Sequence, residues 1–479
     1  MRSLEPSTSQ PQRAAPRAAR QWRRAASLMA ICAGLAAVPA ASLAHTINEA
    51  LAAAYENSGL LDKNRAVLRA ADENVAQAVA SLRPSLTYAL QSTYSNPGAS
   101  TGRQEGVTNT LTLAASMTLY DFGRTAMGVD LQKELVLATR QALVGAEQGA
   151  LLNAAIAFFD VLQAEEFVRL RTSNVRLITE EKRAAEDRFD VGEVTRTDVA
   201  LAEARLAGAR SSLASERGTL VQAETAFEEA VGIPSHALTQ PRGLPRLPAN
   251  ADAAKAIARQ SHPDIVGVRH QITANEIALQ SAKMALRPSL TGQVSSSFDL
   301  DEDLERSDTV SVTLGGVISQ GGQLNSIIRQ AQANLDQSRA DLHIATLAVD
   351  EAVENAYASL SVARASRIAS DEQIRASEVA FEGVREEATL GARTTLDVLD
   401  AEQELLDARA NRVAAVASEF KAAYAVLQAT GRLTAQDLGL PVQLYDPTEY
   451  YNLVKSAPAV NMSEQGAALQ RVLKSLGKN

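Results

Sequence analysis

Residue types that could do chemistry are present in this 479-residue chain, but their spacing excludes most reactions. The five histidines, His45, His236, His262, His270 and His343, are scattered, with no His-Glu-x-x-His or comparable ligand spacing. The single cysteine, Cys32, excludes a disulfide framework and any multi-cysteine zinc or iron–sulfur site. No nucleophile–base pair, phosphate loop or ligand-spaced cluster is found, so the sequence predicts no enzymatic activity, no metal and no cofactor. What remains are carboxylates beside turns. Thr195-x-x-Asp198 and Thr394-x-x-Asp397 read as capping boxes with aspartate at N3. Asp400 lies three residues beyond Asp397, on the same helix face, and capping does not explain it. Gly192 and Gly391 sit just before these boxes, where C′ glycines end helices.

The elements that position these residues come from a duplication. Val191-Gly-Glu-Val-Thr-Arg-Thr-Asp-Val199 recurs as Leu390-Gly-Ala-Arg-Thr-Thr-Leu-Asp-Val398, an offset of 199 residues, and Ala157-Phe158 matches Ala356-Tyr357 at the same offset. Leu82-Arg-Pro-Ser-Leu86 recurs as Leu286-Arg-Pro-Ser-Leu290 at an offset of 204, so the segment after the proline is five residues longer in the first copy. A period this long describes one duplication of a whole unit, not a solenoid. Proline is absent from Gly98 to Ile233 and from Ser289 to Leu440. Because proline costs about 3 kcal/mol inside a helix, these stretches predict long helices.

Each copy predicts the same order of elements. A helix over about 61–82, or 263–286 in the second copy, ends at Arg-Pro. Two alternating segments follow, over about 85–119 and 289–318. In the first copy Leu86, Tyr88 and Leu90 share a face, as do Leu111, Leu113, Ala115, Met117 and Leu119. In the second, Val294, Phe298 and Leu300 are followed by Val310, Val312, Leu314, Gly316 and Ile318. Next come helices of roughly 65–70 residues, Gly123 to about Val191 and Gly322 to about Leu390, on the order of 100 Å long. Return helices carry seven-residue seams, Val199, Leu206, Leu213, Leu220, Phe227 and Leu399, Leu406, Val413, Phe420, Leu427. That step predicts left-handed supercoiled packing, and Ala202, Ala209, Ala223 and Ala230 allow close approach. The division expected is 1–44 as a leader, 45–235 and 236–440 as the two repeats, and 441–479 as a tail in which Gln465–Leu476 is a candidate helix.

Composition agrees: 46% apolar and 22% charged residues describe a folding chain, and only 4% aromatics suit helices packed through small side chains. The net charge of −9 argues against a nucleic-acid partner. Residues 1–24 carry six arginines and one glutamate, an apolar run Leu28–Val38 follows, and Ser42-Leu-Ala44 supplies a small-x-small site. This is the order of a secretory signal peptide, whose removal would leave a charge of −14. In an exported protein, strands of about ten residues with one apolar face have the length to cross a membrane in a tilted barrel. Four strands cannot close one, and open edges in lipid are forbidden, so copies must pool strands: two would give 8, three would give 12.

The residues also resemble the TolC family of outer-membrane efflux proteins. The resemblance covers about residues 46–440 and rests on Leu119-Tyr-Asp-Phe-Gly123, on Arg188-Phe-Asp-Val-Gly192 through Val199, and on Gln320-Gly-Gly-Gln323 followed by Gln330–Leu335. It rests further on Gly391-Ala-Arg-Thr-Thr-Leu-Asp-Val-Leu-Asp400. It implies a mainly α fold, with duplicated helical hairpins forming a periplasmic α-barrel, and four strands per chain in a homotrimeric 12-stranded barrel in outer-membrane lipid. It implies as partners a periplasmic adaptor (membrane fusion) protein and an inner-membrane ABC or proton-driven transporter. Leu440–Val454 resembles the tail of members paired with type I protein secretion. By the resemblance, Asp397 and Asp400 are gate residues at the pore constriction, where six carboxylates per trimer would crowd and raise the apparent pKa of some of them. Arg393, Thr197 and Asp198 match an inter-helix latch, in which an expected tyrosine is Ala388 here. Val191, Gly192, Leu390 and Gly391 match the adaptor-docking tips. A periplasmic coiled-coil adaptor is the competing reading, but it would show one hairpin flanked by glycine-rich lipoyl-like and barrel segments. A second is a surface scaffold that transports nothing.

Overall fold

The structure, a computed structural model, describes residues 45–96, 106–301, 305–456 and 464–475. The expected leader at 1–44 lies outside the described residues, as do parts of both inter-strand loops. The first repeat contains α1 (Ile47–Asn57), α2 (Gly59–Ala80), β1 (Ser85–Ser95), β2 (Gly106–Tyr120), α3 (Arg124–Asp190) and α4 (Arg196–Val231). The second contains α5 (Ala251–Ser261), α6 (Pro263–Met284), β3 (Ser289–Asp299), β4 (Arg306–Gly315), α7 (Gln323–Thr389) and α8 (Thr395–Ala429). The tail adds α9 (Pro447–Val454) and α10 (Glu464–Ser475).

The long helices start and stop where the glycines stand. Gly123 (φ 81°) and Gly322 (φ 89°) are left-handed N-caps of α3 and α7, and each helix runs for 67 residues. α3 packs on α4, and α7 on α8, as two hairpins, while α3 also packs on α6 and α8 and so ties the repeats together. The predicted seam is the packed one: Ala202, Leu206, Ala209, Leu213 and Phe227 of α4 are buried, as are Leu399, Leu406, Phe420 and Leu427 of α8. The few aromatics gather in one belt. Phe159 stacks on Phe420 with centroids 4.8 Å apart, and Phe158 meets Phe159 edge-on at 5.3 Å, within a core that joins α1, α3, α4 and α8.

The two strand pairs form one sheet, in the order β1-β2-β3-β4, antiparallel throughout. The register aligns the faces. Leu90, Leu111 and Phe298 lie in one row, and Val294 pairs with Ala115 and Val310. The opposite face carries Thr87, Ala114, Ser295 and Thr309 in one row and Thr112 with Ser297 in another. Leu86, Tyr88, Val310 and Leu314 are all exposed, at 79%, 81%, 76% and 70%. The outer edges of β1 and β4 have no paired strand among the described residues. The extra residues of the first copy lie mainly between its strands, 96–105 against 300–305; β4, 10 residues against 15 in β2, ends earlier and is followed by a longer link to α7. β4 stops at Gly315, short of the expected Gly316 and Ile318. A Cβ on Gly316 would lie 3.1 Å from the Pro288 backbone, so the chain passes too close there to continue a strand with side chains.

The tail is an ordered clasp. Arg65 lies between the Tyr55 and Tyr445 rings, 5.2 and 5.4 Å from their centroids, and Arg140 lies over Tyr451. The Tyr445 N–H donates to Tyr55 Oη at 3.1 Å, and Tyr450 Oη donates to Glu73 at 2.6 Å. Beside this clasp Asp72 is fully buried, with neither carboxylate oxygen hydrogen-bonded. Burial pushes its carboxyl up to about 6, against a smaller opposing pull from Arg140. The folded state therefore keeps a proton that the unfolded chain releases near pH 3.8, and stability falls as pH rises from about 4 to about 6. Asp72→Asn should raise stability at pH 8 by ~1–3 kcal/mol and flatten that acid-side slope, read as loss of helical signal on heating the detergent-solubilised protein at a series of pH values.

Candidate functional site

The candidate residues collect at the hairpin tips. In the first, Gly192 takes φ 80° and the Glu193 N–H donates back to the Arg188 carbonyl at 2.9 Å. In the second, Gly391 takes φ 77° and the Ala392 N–H donates to the Glu387 carbonyl at 2.9 Å. Both are Schellman closures, which need a residue that tolerates positive φ. A Cβ on either glycine would meet nothing within 4 Å, so conformation alone demands glycine, and the tips stand in open space. Val191 and Leu390 beside them are 72% and 84% exposed, apolar side chains with no cover inside the chain.

Both capping boxes form. Asp198 accepts from the Thr195 N–H at 2.8 Å, and Asp397 accepts from the Thr394 N–H and hydroxyl at 2.9 and 2.8 Å. Within the single chain the Thr394 backbone N–H, then its hydroxyl, hold the Asp397 carboxyl below the usual range. Asp400 is exposed and accepts from Arg205 Nη2 of α4 at 2.6 Å, an ion pair between the two hairpins. The expected latch set does not bridge the hairpins within the chain. Arg393 Nε donates to Glu387 of its own hairpin at 2.8 Å, Asp198 serves Thr195, and Thr197 is exposed on the first turn of α4. Arg393 and Asp198 thus find their partners a few residues away in their own hairpins. Ala388, at the expected tyrosine, is buried against Phe381, Val398 and Leu405.

Four polar contacts between helices were not anticipated from the sequence. Besides Arg205–Asp400, Asn174 Nδ2 of α3 donates to Glu402 Oε1 of α8 at 2.6 Å, with both residues buried. Arg364 and Arg367 of α7 reach the buried Glu419 of α8 at 3.3 and 2.8 Å. The signal for Glu402 lies in helical spacing: with Val398 and Leu405 it occupies the inward stripe of α8, an acid where an apolar residue belongs. Among the described residues no cluster of three or more His, Cys, Asp or Glu side chains is arranged to hold a metal ion.

The chain matches the model of the outer membrane efflux protein family over residues 50–233 and 256–432, one match for each repeat. The chain belongs to the outer membrane efflux protein family. It is 35% identical over 421 residues to the outer membrane efflux protein BepC of Brucella suis biovar 1, covering 87% of this chain and 91% of that one. It is 25% identical over 345 residues to the alkaline protease secretion protein AprF of Pseudomonas aeruginosa, covering 69% and 71%. The fold is similar to that of the Campylobacter jejuni CmeC outer membrane channel, with a TM-score of 0.72 at 16% identity, over 87% of this chain and 90% of that one. This efflux protein is therefore an export duct of the outer membrane that extends into the periplasm, in a family of channels rather than enzymes.

The tip glycines give a graded test. Gly391→Val forces a β-branched residue to positive φ and should lower export and adaptor crosslinking severalfold with assembly intact, whereas Gly391→Asn, which tolerates that conformation, should do much less. Equal transport by the valine variant and the wild type would remove the tip from the docking surface.

Proposed function

We propose that three copies of the chain combine into a 12-stranded outer-membrane barrel continued by an α-helical tunnel, the exit duct of a tripartite export system. One observation carries this reading: a four-stranded sheet with one apolar face, and two edges unpaired among the described residues, stands on two helical hairpins whose long helices each run for 67 residues. In lipid those edges must pair, and joining β4 of one copy to β1 of the next pairs them without adding any element. The apolar face then meets lipid and the threonine and serine face lines the lumen. Three copies, rather than two, follow the family resemblance.

The hairpin tips serve as the periplasmic entrance, where a periplasmic adaptor protein docks on the exposed Val191, Gly192, Leu390 and Gly391 turns. An inner-membrane ABC or proton-driven transporter supplies the energy, since the duct itself has no catalytic machinery. BepC is named for efflux and AprF for protease secretion; a passive duct serves either cargo class. Asp397 and Asp400 provide an acidic constriction with six carboxylates per trimer. Asp400 is held there by Arg205, while Arg393, Thr197 and Asp198 act between neighbouring copies.

Two experiments test this function. Val312→Arg, on the apolar face, should cost ~2–4 kcal/mol of insertion and deplete heat-sensitive trimers from the outer membrane, while Thr313→Arg, on the other face, should be tolerated. Recovery of the mature protein as a soluble periplasmic monomer would end the barrel reading. In planar bilayers, replacing both Asp397 and Asp400 with alanine should remove cation selectivity and block by multivalent cations applied from the periplasmic side. If Asp397 is only a helix cap, its loss costs about 0.5–2 kcal/mol and leaves selectivity unchanged.

A further inference from the structure

Beneath the second tip, α3, α7 and α8 enclose a cavity of about 410 Å³. Glu402 stands on its wall, 5% exposed, one helical turn from Leu399 and Leu406 on the packed seam of α8. Its Oε1 accepts from Asn174 Nδ2 at 2.6 Å, while Oε2 has no hydrogen-bond partner. Asn174 belongs to the first hairpin and Glu402 to the second, so this single bond crosses the joint between them. It lies two residues along α8 from Asp400, whose ion pair with Arg205 crosses the same joint nearer the tip.

The surroundings favour a neutral acid. An ionised carboxylate with one bond in an inter-helix space loses most of its hydration, and the protonated form does not. Burial pushes the Glu402 carboxyl up to about 7; the Asn174 bond opposes that rise and the negative charge of Glu181 adds to it. Two of the arginines that line the cavity are engaged elsewhere: Arg409 of α8 with Glu378 at 2.9 Å, and Arg385 of α7 with Glu181 at 3.9 Å. Arg176 and Glu180 of α3 and Glu382 of α7 complete the charged lining.

The geometry points to Glu402 as a proton-controlled brace between the hairpins, an inference that rests on the tips being the tunnel entrance. Protonated, it keeps α8 packed on α3 and the second tip in its closed position. Ionised, it draws the carboxylate toward water and loosens α8, carrying Asp400 away from Arg205. The sign follows from the raised pKa. A solvated glutamate loses its proton near pH 4.5, so the packed state gains most below that value and loses that gain as pH rises to about 7.

The test is single-channel recording from the purified wild-type protein, with the periplasmic-side pH stepped from about 4 to about 8.5, spanning the pKa shift. Conductance should be low at acid pH and climb as pH rises from about 4.5 to about 7. Glu402→Gln, permanently neutral and still an acceptor for Asn174, should lose the rise and stay low throughout. Asn174→Ala removes the bond that crosses the joint and so weakens the packed state, which should move the rise to lower pH; this variant decides the question should the glutamine variant fail to assemble. No rise in the wild type, a rise kept by Glu402→Gln, or an unchanged or upward-shifted rise in Asn174→Ala would each overturn the brace. Cation selectivity from the same recordings separates the two readings. Selectivity without a pH-dependent rise leaves the acidic entrance standing and discards the brace. A rise that Glu402→Gln removes, with selectivity unchanged in the Asp397/Asp400 double variant, keeps the brace and discards the carboxylate ring.

Discussion

The unpaired outer edges of β1 and β4 constrain everything else in this protein. Within hydrocarbon no water is available to satisfy strand backbone, so a sheet that is apolar on one face and open at both ends is incomplete as a single copy. The helical body is organised around the same incompleteness. Its core is an aromatic belt plus a seam of alanines and leucines, and much of the apolar surface of α7, including Ile344, Val362 and Val379, remains exposed. Such an exposed apolar surface suits burial against further helices, as the proposed pooling of hairpins would provide.

At the other end of the molecule, local and long-range demands share the same few residues. Asp397 closes the first turn of α8 through Thr394, and Asp400, one turn on, crosses to Arg205. An acid used for capping holds its negative charge firmly, because two donors from Thr394 face it. An acid such as Glu402, with one donor and a buried second oxygen, holds its charge poorly. Within three turns of one helix the fold thus places a carboxylate fixed as an anion beside one that favours its proton.

Most of this architecture was legible in the residues because its determinants are local. Proline-free stretches, left-handed glycines and Thr-x-x-Asp boxes set the helix ends to within one or two residues at Gly123, Gly192, Gly322 and Gly391. Alternation gave the strands and their apolar face. What local patterns could not reveal depended on partners far along the chain. The β2–β3 pairing merges two hairpins into one sheet, and Asn174 and Glu402 are 228 residues apart. The clasp of the tail on Tyr55, Arg65 and Glu73 was equally hidden, since nothing near Tyr445 or Tyr450 in the sequence names those contacts. Even so, Asp72 and Glu402 left a trace, as acids at helical spacing from Leu68 and Val75 and from Val398 and Leu405.

The equal length of α3 and α7 turns these helices into rulers. Their sequences differ, and the strands beside them differ by five residues, yet both helices contain 67 residues. One inserted residue would rotate every later side chain by ~100° and lengthen the helix by ~1.5 Å, carrying the seam off its partner and one tip out of level with the other. Strand ends in loops absorb such changes, but a supercoiled helix pair does not. A duct of this design can be lengthened only in steps close to seven residues, made at matching depth in all four long helices at once. The reach of the duct into the periplasm is thereby fixed by the matched length of these helices.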